Sequence, residues 1–171
     1  MEKFIHYILS NFTLTFFVIG LLFSFFTLYR NKNNLSERFV VETFFKYYCF
    51  WAHGVSWTYN AIMHTVFHET AAKFIGWEDS PFQLEVGYAS LGFGIVGLLC
   101  VKNNFGLRLG LAISTSAFLW GAAGGHIYEI IEKQNYAPGN AGVMLWSDIL
   151  IPIITFVLLY LSHKTSKQTI K

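Results

Sequence analysis

Apolar residues fill nearly every position in five runs, about 4–29, 39–67, 81–101, 105–131 and 143–161, and polar residues collect in the short stretches between them. A hydrocarbon core about 30 Å thick is crossed by roughly 20 apolar residues of helix, so each run is long enough to span it. The pattern predicts an all-α polytopic membrane bundle of about five transmembrane helices, organised as a single domain over 1–171. The first run, preceded by Met1-Glu2-Lys3, is too long for the apolar core of a signal peptide and has no small-x-small cleavage site after it, so it reads as a retained span.

The stretches between the runs carry stop and start signals. Residues 30–38 (RNKNNLSER) form a polar loop, Lys102-Asn103-Asn104 a turn, and 135–142 (NYAPGNAG) a second turn-rich loop. Ser80 is placed to cap the third helix, with Pro81 at its first position and Gln83 able to reach back as a capping box. Within the runs, Glu42 and Lys46 have the spacing of a helical ion pair. Gly106/Gly110 and Gly121/Gly125, each four apart, have the spacing of close helix packing.

Composition agrees with a membrane class, at 54% hydrophobic, 19% aromatic and 13% charged, and a net charge of +2 gives no reason to expect a nucleic-acid partner. The distribution of charge is more informative than its total. Arg30, Lys32, Arg38, Lys102, Arg108, Lys164, Lys167 and Lys171 fall on one side of the five-span map, and Lys3, Lys73 and Lys133 on the other. The basic side is expected to be cytoplasmic, which puts the N-terminus outside and the C-terminus inside. Cys49 and Cys100 both lie towards that reducing side, where a disulfide is not expected.

The opposite face gathers the chemistry. His64, Glu85, His126, Glu129 and Asp148 fall at a common depth, roughly 9 to 16 Å outside the middle of their spans, with His68 and Glu69 just beyond. His53, Asn60, His64 and His68 share one helical face, and His126 and Glu129, three apart, share another beside Gly124 and Gly125. Pro152 cannot donate to the Asp148 carbonyl, which leaves that oxygen free beside the carboxylate. Ionisable groups inside spans are costly and usually face a cavity. Trp77, Trp146 and Tyr136 read as an interfacial aromatic belt.

Imidazole and carboxylate together suit a transition metal ion such as zinc, iron or manganese. The expected metal ligands are His64, His68, Glu85, His126, Glu129 and Asp148, with Glu69 or Glu129 as general base in metal-dependent chemistry on a lipid-like substrate. Span four reads His-x-x-Glu, the reverse of the di-iron order, and the zinc-protease pattern is absent. Three other readings fit the same residues. His53, Asn60 and His64 could line the path of an ion-coupled or metal transporter, which with five spans requires a homo-oligomer. Two of His53, His64, His68 and His126 could be axial ligands of a haem. The polar cluster could also tie helices together in a structural accessory protein.

The run from Ile75 to Gly87, IGWEDSPFQLEVG, resembles a segment of an uncharacterised family of small bacterial polytopic membrane proteins, and the similarity extends through Gly125-His126-Ile127-Tyr128-Glu129. The resemblance implies a location in a bacterial inner membrane. It transfers no catalytic residue.

Overall fold

Helix α1, Phe12–Arg30, is apolar on nearly every side, and little of it is covered by the rest of the protein. In the computed structural model, which describes residues 7–168, only Gly20 and Ser24 of this helix are buried. Met1 to His6 and the stretch after Gln168, with Lys3 and Lys171 of the charge map, lie outside the described residues. A short 3₁₀ turn, Lys32–Asn34, leads to Ser36, whose hydroxyl accepts from the Phe39 N–H at 3.1 Å and starts α2, Glu37–Tyr48.

The second run is a composite rod. α2 passes without a break into a π-helical segment, Cys49–Val55, and then into α3, Ser56–Thr65. The helix stops at Val66 and Phe67, and α4, His68–Ile75, turns away from its line. That break separates His64 from His68, which the sequence pattern places on one helical face. Gly76, at φ +78, ends α4 in the left-handed conformation that glycine adopts without strain.

α5, Phe82–Leu99, follows a loop; α6, Phe105–Lys133, is opened by the Asn104 side chain, which accepts from the Leu107 N–H at 2.9 Å. A single turn, α7 at Pro138–Ala141, precedes α8, Val143–Gln168. The described residues thus form an all-α bundle, and four of their helices are long and apolar enough to cross a membrane: α1, α5, α6 and the α7–α8 stretch. The chain is a membrane protein by this measure. The rod 37–65 covers about 40 Å but is not among these four; it carries Glu37, Arg38, Glu42 and Lys46 in its first half and His53, Asn60 and His64 in its second.

Packing is closest where α5 lies on the rod. A Cβ on Gly97 would sit 2.7 Å from the Gly54 nitrogen and 2.8 Å from the His53 Cβ, and one on Gly94 would sit 3.0 Å from the Thr58 nitrogen. These glycines bring two backbones together. Gly110 and Gly121 have nothing within 4 Å, Gly106 meets only its neighbour Asn104, and Gly125 only Trp77 at 3.8 Å. The spacing of four therefore does not mark the intramolecular contact expected from it. Trp57, Phe93 and Phe118 form an edge-to-face trio with centroids 5.0 to 5.6 Å apart, joining α3, α5 and α6 at the bundle centre.

The lysine- and arginine-rich end is locked by Arg108, which is 1% exposed. Its guanidinium donates to Glu42 Oε2 at 2.8 Å, to Asn103 Oδ1 at 3.2 Å and to the Cys100 carbonyl at 3.2 Å, and it stacks on Phe45. The Ser162 hydroxyl donates to the other Glu42 oxygen. The partner of Glu42 is therefore Arg108, while Lys46 lies over the Tyr47 ring. Fully buried Arg108 requires a paired counter-charge, whereas exposed Lys46 keeps its ammonium in contact with its surroundings. Cys49 and Cys100 are free, buried thiols.

Candidate functional site

At the opposite end the helices splay around a chamber of about 450 Å³. Its floor is Ala52, Ser56 and Ile151; α3 supplies Trp57, Asn60, Met63 and His64, α6 supplies Phe118, Leu119, Ala122 and His126, and α8 supplies Met144, Ser147 and Asp148. α4 closes one side with Ala71, Phe74 and Ile75, and the following loop adds Trp77 and Glu78. Phe82, 70% exposed, and exposed Glu78 mark where it meets the surface. The walls are mainly apolar and aromatic, with polar side chains contributed by several of the helices.

The cover is held by backbone contacts that the loop composition supports. Gly139 of α7 packs against Phe74, where a Cβ would lie 2.8 Å from the Phe74 carbonyl. Asn135 donates to the carbonyls of Ile75 at 3.1 Å and Gly76 at 3.3 Å, and so ties the loop before α7 to the end of α4. The Trp77 ring lies 5.4 Å from that of His126. Trp77 is thus a wall of the site as well as an interfacial aromatic.

His126 and Asp148 form the chemical centre. The Asn140 amide nitrogen donates to the carbonyls of Asn135 at 2.9 Å and His126 at 3.2 Å, which fixes the amide so that its oxygen faces His126 Nδ1 at 2.7 Å. An oxygen can only accept, so Nδ1 carries a hydrogen. The other ring nitrogen, Nε2, lies 3.5 Å from Asp148 Oδ2. In a neutral ring Nε2 is a lone pair, and a lone pair facing a carboxylate oxygen is repulsive unless one proton lies between them. The His126 imidazole and the Asp148 carboxyl group thus face each other across 3.5 Å. Both side chains are buried, and both line the chamber.

The remaining expected residues fall in several places. His64 is on the chamber wall, with Nδ1 paired to the Gln83 amide. Gln83 thus serves His64 instead of a capping box. His68 lies outside the lining and makes an exposed ion pair with Asp79 at 2.9 Å, and its hydrogen bond to that carboxylate raises its pKa above 6.5. Glu69 and Glu85 are exposed on α4 and α5, and Glu129, half-buried, takes the Lys133 ammonium at 2.7 Å. Neither Glu69 nor Glu129 lines the chamber. His53 is fully buried below the floor, with Nε2 on the Thr155 hydroxyl at 3.1 Å and Nδ1 unpartnered.

Among the described residues, no three histidine, cysteine, aspartate or glutamate side chains come together as a metal-holding group. The residues that could contribute to one are His126 and Asp148, whose facing atoms have the separation of neighbouring ligands. Asn140 and Met63 are parts of the site that the sequence pattern did not single out, and Gln83 is one to which it gave a different role. Asn140 reads as one more turn residue in NYAPGNAG, and its role depends on the fold bringing α7 onto His126. No curated protein and no solved structure matches the chain. Residues 10–168 match the model of a family of unknown function, DUF6790, and the chain belongs to that family.

Proposed function

We propose that this membrane protein takes a small amphipathic, lipid-like molecule from the bilayer into the chamber and exchanges a proton with it through the His126–Asp148 pair. The observation that carries this reading is the chamber itself, about 450 Å³ of mainly apolar and aromatic wall with His126, Asp148 and His64 among its polar lining. Ligand sites commonly have this volume and this distribution of polarity. Exposed Phe82 and Trp77 at the rim suit entry from lipid. The excess of lysine and arginine at the other end supports an outward-facing chamber, with five helical rods crossing a bacterial inner membrane.

Native mass spectrometry of protein purified in mild detergent from lipid-replete membranes tests the reading. Wild type should carry a co-purifying apolar molecule, and Ala122→Trp, which fills the chamber beside His126, should lose it with its helical content unchanged. A bound molecule that is retained in Ala122→Trp would place it outside the chamber and count against this function.

A second reading is favoured by the geometry of the same pair. Zinc bound to one imidazole and one carboxylate places its nitrogen and oxygen ligands about 3.4 Å apart in a tetrahedron, close to the 3.5 Å between Nε2 and Oδ2. The Nδ1–H bond to Asn140 is the kind of outer partner that orients a metal-bound imidazole. A transition metal there would draw its other ligands from water or the bound molecule, and would supply Lewis-acid chemistry. Elemental analysis distinguishes the two readings: about one metal ion per chain, lost in His126→Ala, supports the metal, and metal-free wild type with the amphipathic molecule bound supports the proton pair.

A further inference from the structure

Resting on the chamber reading, we propose that the preferred occupant is a lipophilic organic cation, such as a protonated or quaternary amine carrying apolar groups. Charge is the first observation. The described lining residues include two carboxylates, Asp148 and Glu78, and no lysine or arginine. Asp148 is 8% exposed, and His126 is the group paired with it. An anionic headgroup would meet exposed Glu78 at the mouth and buried Asp148 inside, where solvent screens little, and no lysine or arginine.

Aromatic faces are the second observation. Trp57, Tyr59, Phe74, Trp77 and Phe118 all line the chamber, from α3, α4, the loop after it and α6. The face of an aromatic ring carries negative quadrupolar charge, so rings around a desolvated cavity attract a cation and repel an anion. Several rings beside a buried carboxylate are the arrangement that recognises organic ammonium groups. A neutral amphiphile could use the apolar walls but would leave the carboxylates without a counter-charge. A bound cation would bring the Asp148 carboxylate a counter-charge that apolar ligands do not supply.

The test uses two hydrophobic ions of similar shape and opposite charge, tetraphenylphosphonium and tetraphenylborate. Equilibrium dialysis is run on the full chain in detergent, with Ala122→Trp as the correction for partition into micelles. Wild type should bind the cation at least about tenfold tighter than the anion, and Asp148→Asn should reduce cation binding by about tenfold or more. The wild-type comparison stands whether or not the variant folds. Equal or tighter binding of the anion, or an unchanged cation preference in folded Asp148→Asn, overturns this inference and leaves the chamber reading intact. Binding of neither ion overturns both.

Discussion

Gly97→Ala is the substitution whose cost follows most directly from the packing. A methyl group there would sit 2.7 Å from the Gly54 nitrogen, 2.8 Å from the His53 Cβ and 3.0 Å from the His53 carbonyl carbon, where ordinary contacts begin at 3.4 Å. Two of the three atoms are backbone, so no rotamer change relieves the overlap, and α5 must move off the rod by roughly 0.7 Å. Overpacking of this kind costs about 1–3 kcal/mol, against a gain of up to about 1 kcal/mol from replacing glycine by alanine in a helix. Gly110→Ala and Gly121→Ala bring the same gain without the overlap, because nothing lies within 4 Å of either. Unfolding of the three variants in mixed micelles, followed by circular dichroism across an SDS titration, should place Gly97→Ala about 1–3 kcal/mol below the other two. Equal stability of all three, or destabilisation by Gly110→Ala or Gly121→Ala alone, would refute the assignment of the close contact to α5 and the rod.

Arg108→Gln should lower stability by about 3–5 kcal/mol in the same titration, because it leaves the Glu42 carboxylate without its cation in a site that is largely desolvated; a loss below about 1 kcal/mol would show that Glu42 is reached by water. Asn140→Leu should cost about 1–3 kcal/mol by leaving the His126 Nδ1–H unsatisfied, and histidine ¹⁵N spectra should show that ring losing its fixed tautomer. The His68–Asp79 bond predicts a pH dependence of the chamber cover. His68 is raised above its unfolded value of 6.5 by its hydrogen bond to Asp79, with a smaller push from the charges of Asp79 and Glu69. Its contribution is full below 6.5 and disappears as pH rises through the higher folded value. Hydrogen exchange over residues 68–80, corrected for intrinsic rates, should be slower at about pH 5.5 than at about pH 9, and the difference should vanish in Asp79→Asn.

The helices of this chain are legible from its sequence because their signal is a sum over many residues. Five apolar runs with polar punctuation require rods of membrane length, and the observed α1, α5, α6 and α8 lie on the expected runs. That His64, His126 and Asp148 belong near one end of the bundle is also legible, since rise per residue converts sequence position into height, and all three line the chamber. Azimuth and partner are not, because they depend on how the rods rotate and where they break. Val66 and Phe67 end a helix that hydrophobicity would continue, and this sends His68 out to Asp79 while His64 stays with Gln83. Glu42 illustrates the same limit: Lys46 is its neighbour on the helix, but Arg108, 66 residues away in sequence, is its neighbour in space. Asn140 fixes the tautomer of a histidine on another helix through a contact that local pattern does not encode.

The most direct test of the chamber is to ask where a bound amphiphile sits. The measurement is photolabelling of the membrane-embedded protein with a diazirine-bearing lipophilic ammonium, followed by peptide mapping. Adducts on Met63, Met144 and Trp57, competed away by tetraphenylphosphonium and absent in Ala122→Trp, are the predicted result. Adducts confined to lipid-facing positions such as Leu22, Phe26 and Val157, unaffected by competitor, would contradict it.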